Sequence, residues 1–371
     1  MSRFTSKANS YINQFRGWKT SEKFVVFESD DWGSVRTSNQ IALSELKKVG
    51  VKTENCHYMT FDSLERKTDI ESLFNVLKSF KDVNGNHPIF TFNTIVANPD
   101  FKSILDSQFN EYFFEPFTET YKRLRSSDTL DLWHLGIKEK LIYPQFHGRE
   151  HVNIKRWMND LKNGRKDTLV GFKHEVFGIS GHVVEKKRGS YLAVFDEIGE
   201  NTEVINNIID NGVSIFNKTF GYKPLTFIAP NYVWSSNVET SAHKNGIISM
   251  QGSPTQILPT VNENKTKTRS NYTGKTNSEG MGYMIRNVSF EPSSNDKKNW
   301  VDSALKQMEI AFSQKRPVII DTHRVNYIGE LNESNRTNGL TLISQLLSEM
   351  LKKWPEIKFT NSAELASIIY K

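Results

Sequence analysis

An apolar, β-branched run followed by a segment of helical periodicity recurs along the whole chain, and no other feature limits the fold as much. Strand candidates begin with Phe24-Val25-Val26-Phe27 and Pro88 to Asn93. They continue through Leu141 to Gln145, Gly171 to Ser180, Leu225 to Ile228 and Ile247 to Met250, and end with Tyr283 to Val288, Pro317 to Asp321 and Ile357 to Phe359. Continuous apolar runs of this kind suit strands buried on both faces, as in parallel sheets. Between them, helical spacing marks Ile41 to Val49 (stopped by Gly50), Ile70 to Phe80, Ile154 to Leu161, Val204 to Phe220 (stopped by Gly221), Val238 to Asn245, Trp300 to Phe312, Leu340 to Leu351 and Ala363 to Tyr370. With no Gly-x-Gly-x-x-Gly fingerprint and no break in composition, the alternation predicts an α/β fold. We expect one (β/α)-barrel domain over residues 1–371, distorted or incomplete, with seven to eight strands.

Three stretches stand outside the pattern. Residues 1–22, with Tyr11, Phe15 and Trp18 on a polar background, read as a segment packed across the barrel. The aromatic stretch Phe109 to Phe117 reads as a long loop or lid, and residues 260–280 as a polar, mobile loop insertion.

Composition narrows the chemistry. Cys56 is the only cysteine, so an internal disulfide and a thiolate metal cluster are both excluded, and any metal must be held by His, Asp or Glu. The formal charge is +6, but Lys and Arg are interleaved with 42 acids and form no dense basic arm. We read the excess as a solvated surface suited to anionic glycans, not as a nucleic-acid site. No apolar run approaches the roughly 20 residues of a membrane span. Met1 to Lys19 carries Asn9, Asn13 and Gln14 where a secretory leader would be apolar, which predicts a cytoplasmic protein.

The reactive residues collect at strand ends, where ligands gather in barrels and open α/β sheets. The first run continues into Glu28-Ser29-Asp30-Asp31-Trp32-Gly33. If strand geometry persists, Asp30 and Asp31 point in opposite directions, so that one binds a metal while the other handles a proton. His147 and His151 follow the third strand candidate, and their spacing of four places both imidazoles on one face of a helical turn. Two His and one Asp with open positions suit zinc or a similar divalent ion. Further strand ends present Pro230-Asn231-Tyr232-Val233-Trp234 and Asp321-Thr322-His323-Arg324. The first is either a wall for a sugar ring or ordinary core; His323 is either reactive or structural.

In this order along the chain, from Phe24 to about Tyr327, these residues resemble the polysaccharide deacetylases with NodB homology, carbohydrate esterase family four. The Asp30-Asp31 pair, the His147 to His151 motif, Ala229-Pro230-Asn231-Tyr232 and Ile319-Ile320-Asp321-Thr322-His323 carry the likeness. The resemblance implies a distorted barrel and metal-dependent removal of acetyl groups from N-acetylated sugars. It makes Asp30 the general base, His323 the general acid, and Asp31, His147 and His151 the ligands of zinc, or of cobalt or nickel. Asn231, Tyr232, Trp234, Arg286 and Arg324 are the expected substrate-binding residues, with Asn287 or Glu291 at the rim.

The chain departs from the family in three places. Trp32 intrudes before Gly33, Gly148 replaces a Ser or Thr, and Ile228 and Ala229 stand where an arginine normally orients the base. Arg286 or Arg324 then has to supply the lost charge. The competing readings are an inactive glycan-binding barrel, an O-acetyl esterase and a metal-dependent phosphohydrolase.

Overall fold

The computed structural model describes residues 17–125, 128–184, 189–196, 201–259 and 267–371. In chain order the strands are β1 (Lys23–Trp32), β2 (Phe90–Thr94), β3 (Ala97–Pro99), β4 (Phe114–Pro116), β5 (Gln145–Phe146), β6 (Thr226–Ile228), β7 (Ser249–Gly252), β8 (Thr255–Leu258), β9 (Lys267–Ser270), β10 (Gly282–Ile285), β11 (Val288–Ser289), β12 (Val318–His323) and β13 (Ile357–Phe359). Nine of them form one curled sheet in the order β10-β7-β6-β5-β2-β1-β12-β11, with β13 added beside the start of β1. Every pairing in it is parallel, so all strand C-termini open on one end. β3 with β4 and β8 with β9 make two separate two-stranded antiparallel sheets.

The two end strands of that order are two halves of one stretch of chain. Arg286 N–H donates to Gly252 O, continuing the ladder with β7, and the very next amide, Asn287 N–H, donates to Ile319 O on β12. The sheet therefore curls until its edges are joined by a single peptide link. The expected strand Tyr283 to Val288 is this partner-switching segment.

Helices cover the sheet, and among the described residues six of them start at an Asn. Asn39, Asn153, Asn201, Asn299, Asn332 and Asn361 each accept a backbone N–H at a helix N-terminus, satisfying a donor that the helix itself cannot. The longest helices, Thr202–Phe220 and Glu333–Lys353, contain the predicted ones; Gly221 ends the first with φ 78°, which glycine adopts without strain.

Several expectations are corrected. Gly171 to Ser180 is not a strand: helix Lys166–Lys173 runs into it, and the chain reverses at Glu175. The reversal brings Val176 O so close that a Cβ on Gly171 would lie 2.7 Å from it. Leu141 to Gln145 contributes only Gln145 to a strand, although Ile142 makes a lone bridge to Phe90. Phe109 to Phe117 is a loop only as far as Phe113; beyond it β4 pairs with β3 and Phe117 is buried at the start of helix Phe117–Leu124.

Of the 260–280 insertion, residues 260–266 lie outside the described residues. The rest forms β9 and a turn whose Thr273 O accepts from Trp18 N–H. Residues 1–16 of the expected N-terminal segment also lie outside the described residues. Among the described residues no helix is long and apolar enough to cross a membrane.

Candidate metal and acid–base site

β1 runs through both acids, but not regularly. Its register with β2 shifts between Ser29 and Trp32, and Asp31 sits at φ 74°, a left-handed conformation that costs a non-glycine residue energy. Trp32 explains its own intrusion: its indole stacks on Phe92 at 3.6 Å between centroids and donates Nε1–H to Ser29 Oγ at 2.9 Å. The irregularity separates the two carboxylates, one into the sheet's interior and one toward the chain after β5.

That chain is not helical between His147 and His151, so the predicted helical face is wrong although the two rings do converge. Extended backbone brings them together: His147 N–H donates to Thr94 O, Ala97 N–H to Arg149 O, and Gly148 takes φ 116°. His147 Nδ1–H donates to Ile228 O at 2.8 Å, which leaves Nε2 3.3 Å from Asp31 Oδ1. His151 Nε2 lies 3.5 Å from the same oxygen, and its Nδ1 is buried without a partner. Burial, only partly opposed by Asp31, drives His151 down to about 3, so the ring is a neutral lone-pair donor. Asp31 is held well below the usual carboxylate range, because Arg36 and then the His147 hydrogen bond outweigh the burial that would raise it. One carboxylate oxygen and two imidazole nitrogens within 4.8 Å of one another fit a divalent ion such as zinc.

Asp30 has a different environment. Oδ1 accepts from Asn93 Nδ2 at 2.7 Å and from Arg286 Nη2 at 2.6 Å; Oδ2 accepts from Arg286 Nη1 at 2.8 Å and faces His323 Nε2 at 3.5 Å. Burial would raise this carboxyl, but Arg286 first and His323 next hold it at about 2. Arg286 also bonds Glu28 (2.7 Å), Asp321 (2.6 Å) and the Tyr232 hydroxyl (3.0 Å). Glu28, beneath it, is pushed by burial up to about 7 despite that bond. His323 donates Nδ1–H to Glu291 Oε1 at 2.6 Å, and Asn326 fixes the other Glu291 oxygen at 2.7 Å. Burial disfavours the imidazolium, but Glu291 overrides it and lifts His323 to about 10.

A cavity of about 680 Å³ opens onto both groups. Arg36, His57, Tyr58, Ser180, His182 and Leu192 line it, besides Asp30, Asp31, His147, His151, Asn231, Tyr232 and His323. Asn231 is exposed and Tyr232 half-buried on its wall. Three expected substrate residues, Trp234, Arg324 and Arg286, are not on it. Trp234 is fully buried, its Nε1–H bonded to Glu239 at 2.8 Å, because the paired strands β8 and β9 pack over it: Trp234 N–H donates to Ile257 O. Arg324 is also fully buried, paired with Asp62 and Glu65. Arg286 grips the Asp30 carboxylate from below instead of lining the cavity. Arg36 and Tyr58 escaped the sequence reading, since neither belongs to a strand-end motif, and Asn93, at the end of the second strand candidate, was read only as part of that strand.

No family model matches the chain, and no curated protein matches it. Among solved structures it is similar to the Puue allantoinase (8% identity, TM-score 0.48, covering 94% of this chain and 91% of that one). It is also similar to a family 4 carbohydrate esterase from Streptomyces lividans (10% identity, TM-score 0.34, 90% of each chain). A third is a CE4 family pseudoenzyme from Bacillus anthracis (10% identity, TM-score 0.38, 93% of this chain and 66% of that one). Identity and overlap at this level leave the site's own residues to decide the function.

Proposed function

We propose that the protein is a metal-dependent hydrolase that removes acetyl groups from N-acetylated sugars. The observation that carries this reading is the division of labour between adjacent carboxylates: Asp31 shares one oxygen with two imidazole Nε2 atoms, while Asp30 is clamped by Arg286 opposite His323. The resemblance of these same residues to the polysaccharide deacetylase motifs supports the choice of an acetamide substrate.

Asp31, His147 and His151 would hold the ion, which when bound supplies Lewis-acid polarisation of the acyl carbonyl and acidification of the attacking water. Asp30 Oδ2 is the base atom, because Oδ1 already accepts two bonds and Oδ2 accepts one. The bidentate arginine keeps that carboxylate ionised and aimed. His323 Nε2–H gives its proton to the departing amine, with Glu291 holding the ring and its charge. Tyr232 and Asn231 line the sugar's side of the cavity.

Arg286 also weighs against a barrel that only binds glycan, since it occupies the role of the missing motif arginine. The test is metal content together with acetate release from a panel of N-acetyl and O-acetyl saccharides. Acetate from the N-acetyl set in step with metal content supports the reading. Release from O-acetyl sugars alone makes it an esterase, free phosphate from sugar phosphates makes it a phosphohydrolase, and metal binding without turnover leaves a binding protein.

A further inference from the structure

Behind the Asp31 carboxylate lies a closed circuit of buried charges that the steps above do not use. Glu65 Oε1 accepts Gly33 N–H at 2.9 Å, two residues beyond Asp31, and also the Tyr121 hydroxyl. Its other oxygen accepts from Arg324 Nη1 at 2.5 Å, and Arg324 grips Asp62 with Nε and Nη2 at 3.0 and 3.1 Å. Asp62 Oδ2 lies 3.5 Å from Arg36 Nε, and Arg36 Nη2 lies 4.0 Å from Asp31 Oδ2. Asp62, Glu65 and Arg324 are fully buried and Arg36 is 6% exposed, with the Tyr58 ring 5.3 Å from its guanidinium.

Stability alone is a poor reason for such a circuit. Buried ion pairs cost desolvation energy, and well-packed apolar replacements often do as well or better. What the circuit does fix is direction. Asp31 sits in a strained backbone conformation, its Oδ1 faces both histidines, and its Oδ2 faces Arg36. The turn that follows is pinned at Gly33 by Glu65, at Val35 by Asn98 Oδ1 (2.8 Å) and at Thr37 by Asp62 O (3.1 Å).

The geometry points to Arg36 as a positioning residue for the metal site: it holds Asp31 by Oδ2 so that Oδ1 is presented to the ion, and Asp62, Arg324 and Glu65 hold Arg36 and the turn in place. This rests on the metal reading above. Arg324 directly follows His323, so the circuit also ties the ligand-bearing turn to the strand that carries the general acid.

The test is zinc affinity of the full chain, by competition with a chromophoric chelator, for the wild type, His151→Ala, Arg36→Met, Arg36→Lys and Arg36→Gln. Thermal midpoints and the visible spectrum of the cobalt-loaded protein accompany it. Arg36→Met should bind zinc about 10- to 100-fold more weakly, the usual cost of losing a partner of a metal ligand, and show an altered cobalt spectrum while remaining folded. Arg36→Lys should fall between it and the wild type, because an ammonium keeps the charge but cannot bridge Asp62 and Asp31 together.

If Arg36→Met fails to fold, the ranking Arg above Lys above Gln decides for the inference, and equal affinities decide against it. Wild-type affinity and spectrum in all Arg36 variants, with zinc lost in His151→Ala, overturn this inference alone. A wild type that binds no zinc, or a His151→Ala that binds it unchanged, overturns the metal reading and this inference with it.

Discussion

Arg286 meets Asp30 as a fork meets a fork: Nη1 to Oδ2 at 2.8 Å and Nη2 to Oδ1 at 2.6 Å, across 256 positions of sequence. The pair fixes the carboxylate plane as well as its charge, which a single ammonium cannot do. Arg286→Lys should therefore cut kcat while leaving metal content unchanged. Burial then acts on Asp30 with less opposition, so its acid form persists to higher pH and the acid limb of kcat/KM should move upward. An unmoved acid limb with full activity would remove Arg286 from the mechanism.

The two adjacent acids should fail in different ways. Asp30→Asn should keep its metal and lose turnover by roughly 10²–10⁴-fold, the scale of general acid–base help. Asp31→Asn should lose metal affinity, with activity partly restored by excess metal. Elemental analysis beside steady-state rates separates the two, and swapped phenotypes would swap the roles.

His323 supplies a pH signature. Its pKa is raised to about 10, chiefly by Glu291 against the effect of burial. Its contribution to stability is therefore fully present below the ordinary histidine value near 6.5 and is lost as pH rises through about 10. The acid it provides is lost over the same upper range, so the alkaline limb of kcat/KM should fall near 10. Glu291→Gln should pull that limb downward, and an NMR titration of the imidazole gives the same answer without substrate.

Trp234 serves as the control. Its ring is fully buried and bonded to Glu239, so Trp234→Ala should destabilise by about 3–5 kcal/mol, the cost of emptying an aromatic core site. Saccharide affinity of the folded fraction should stay near wild type. A strong loss of affinity with an unchanged thermal midpoint would return Trp234 to the sugar wall.

Why some of this was legible and some was not follows from the range of the contacts. Parallel strands announce themselves because both faces are buried, and the reactive residues stood at their ends. The pairing of His147 with His151 was legible for the wrong reason, since the rings meet through an extended chain pinned to Thr94 and Ala97 rather than on a helix. Arg324 was not legible, because β12 ends at His323 and the turn Arg324–Tyr327 that follows carries its side chain to Asp62 and Glu65, far away in sequence. Nor was Trp234, because its cover is the paired strands β8 and β9, which leave no mark beside it in the sequence. Arg36, Asp62 and Glu65 carry no motif; only the folded chain brings them behind Asp31.

The single peptide link at Arg286-Asn287 has a consequence for how this barrel can change. Its backbone sews one edge of the sheet to the other, and the Arg286 side chain clamps Asp30. An insertion or deletion between Ile285 and Val288 would slip the seam by a residue and turn the guanidinium away from Asp30 at once. Drift in the closure is thus felt first at the Asp30 carboxylate, before the remaining strands, still paired on both sides, register it as lost stability.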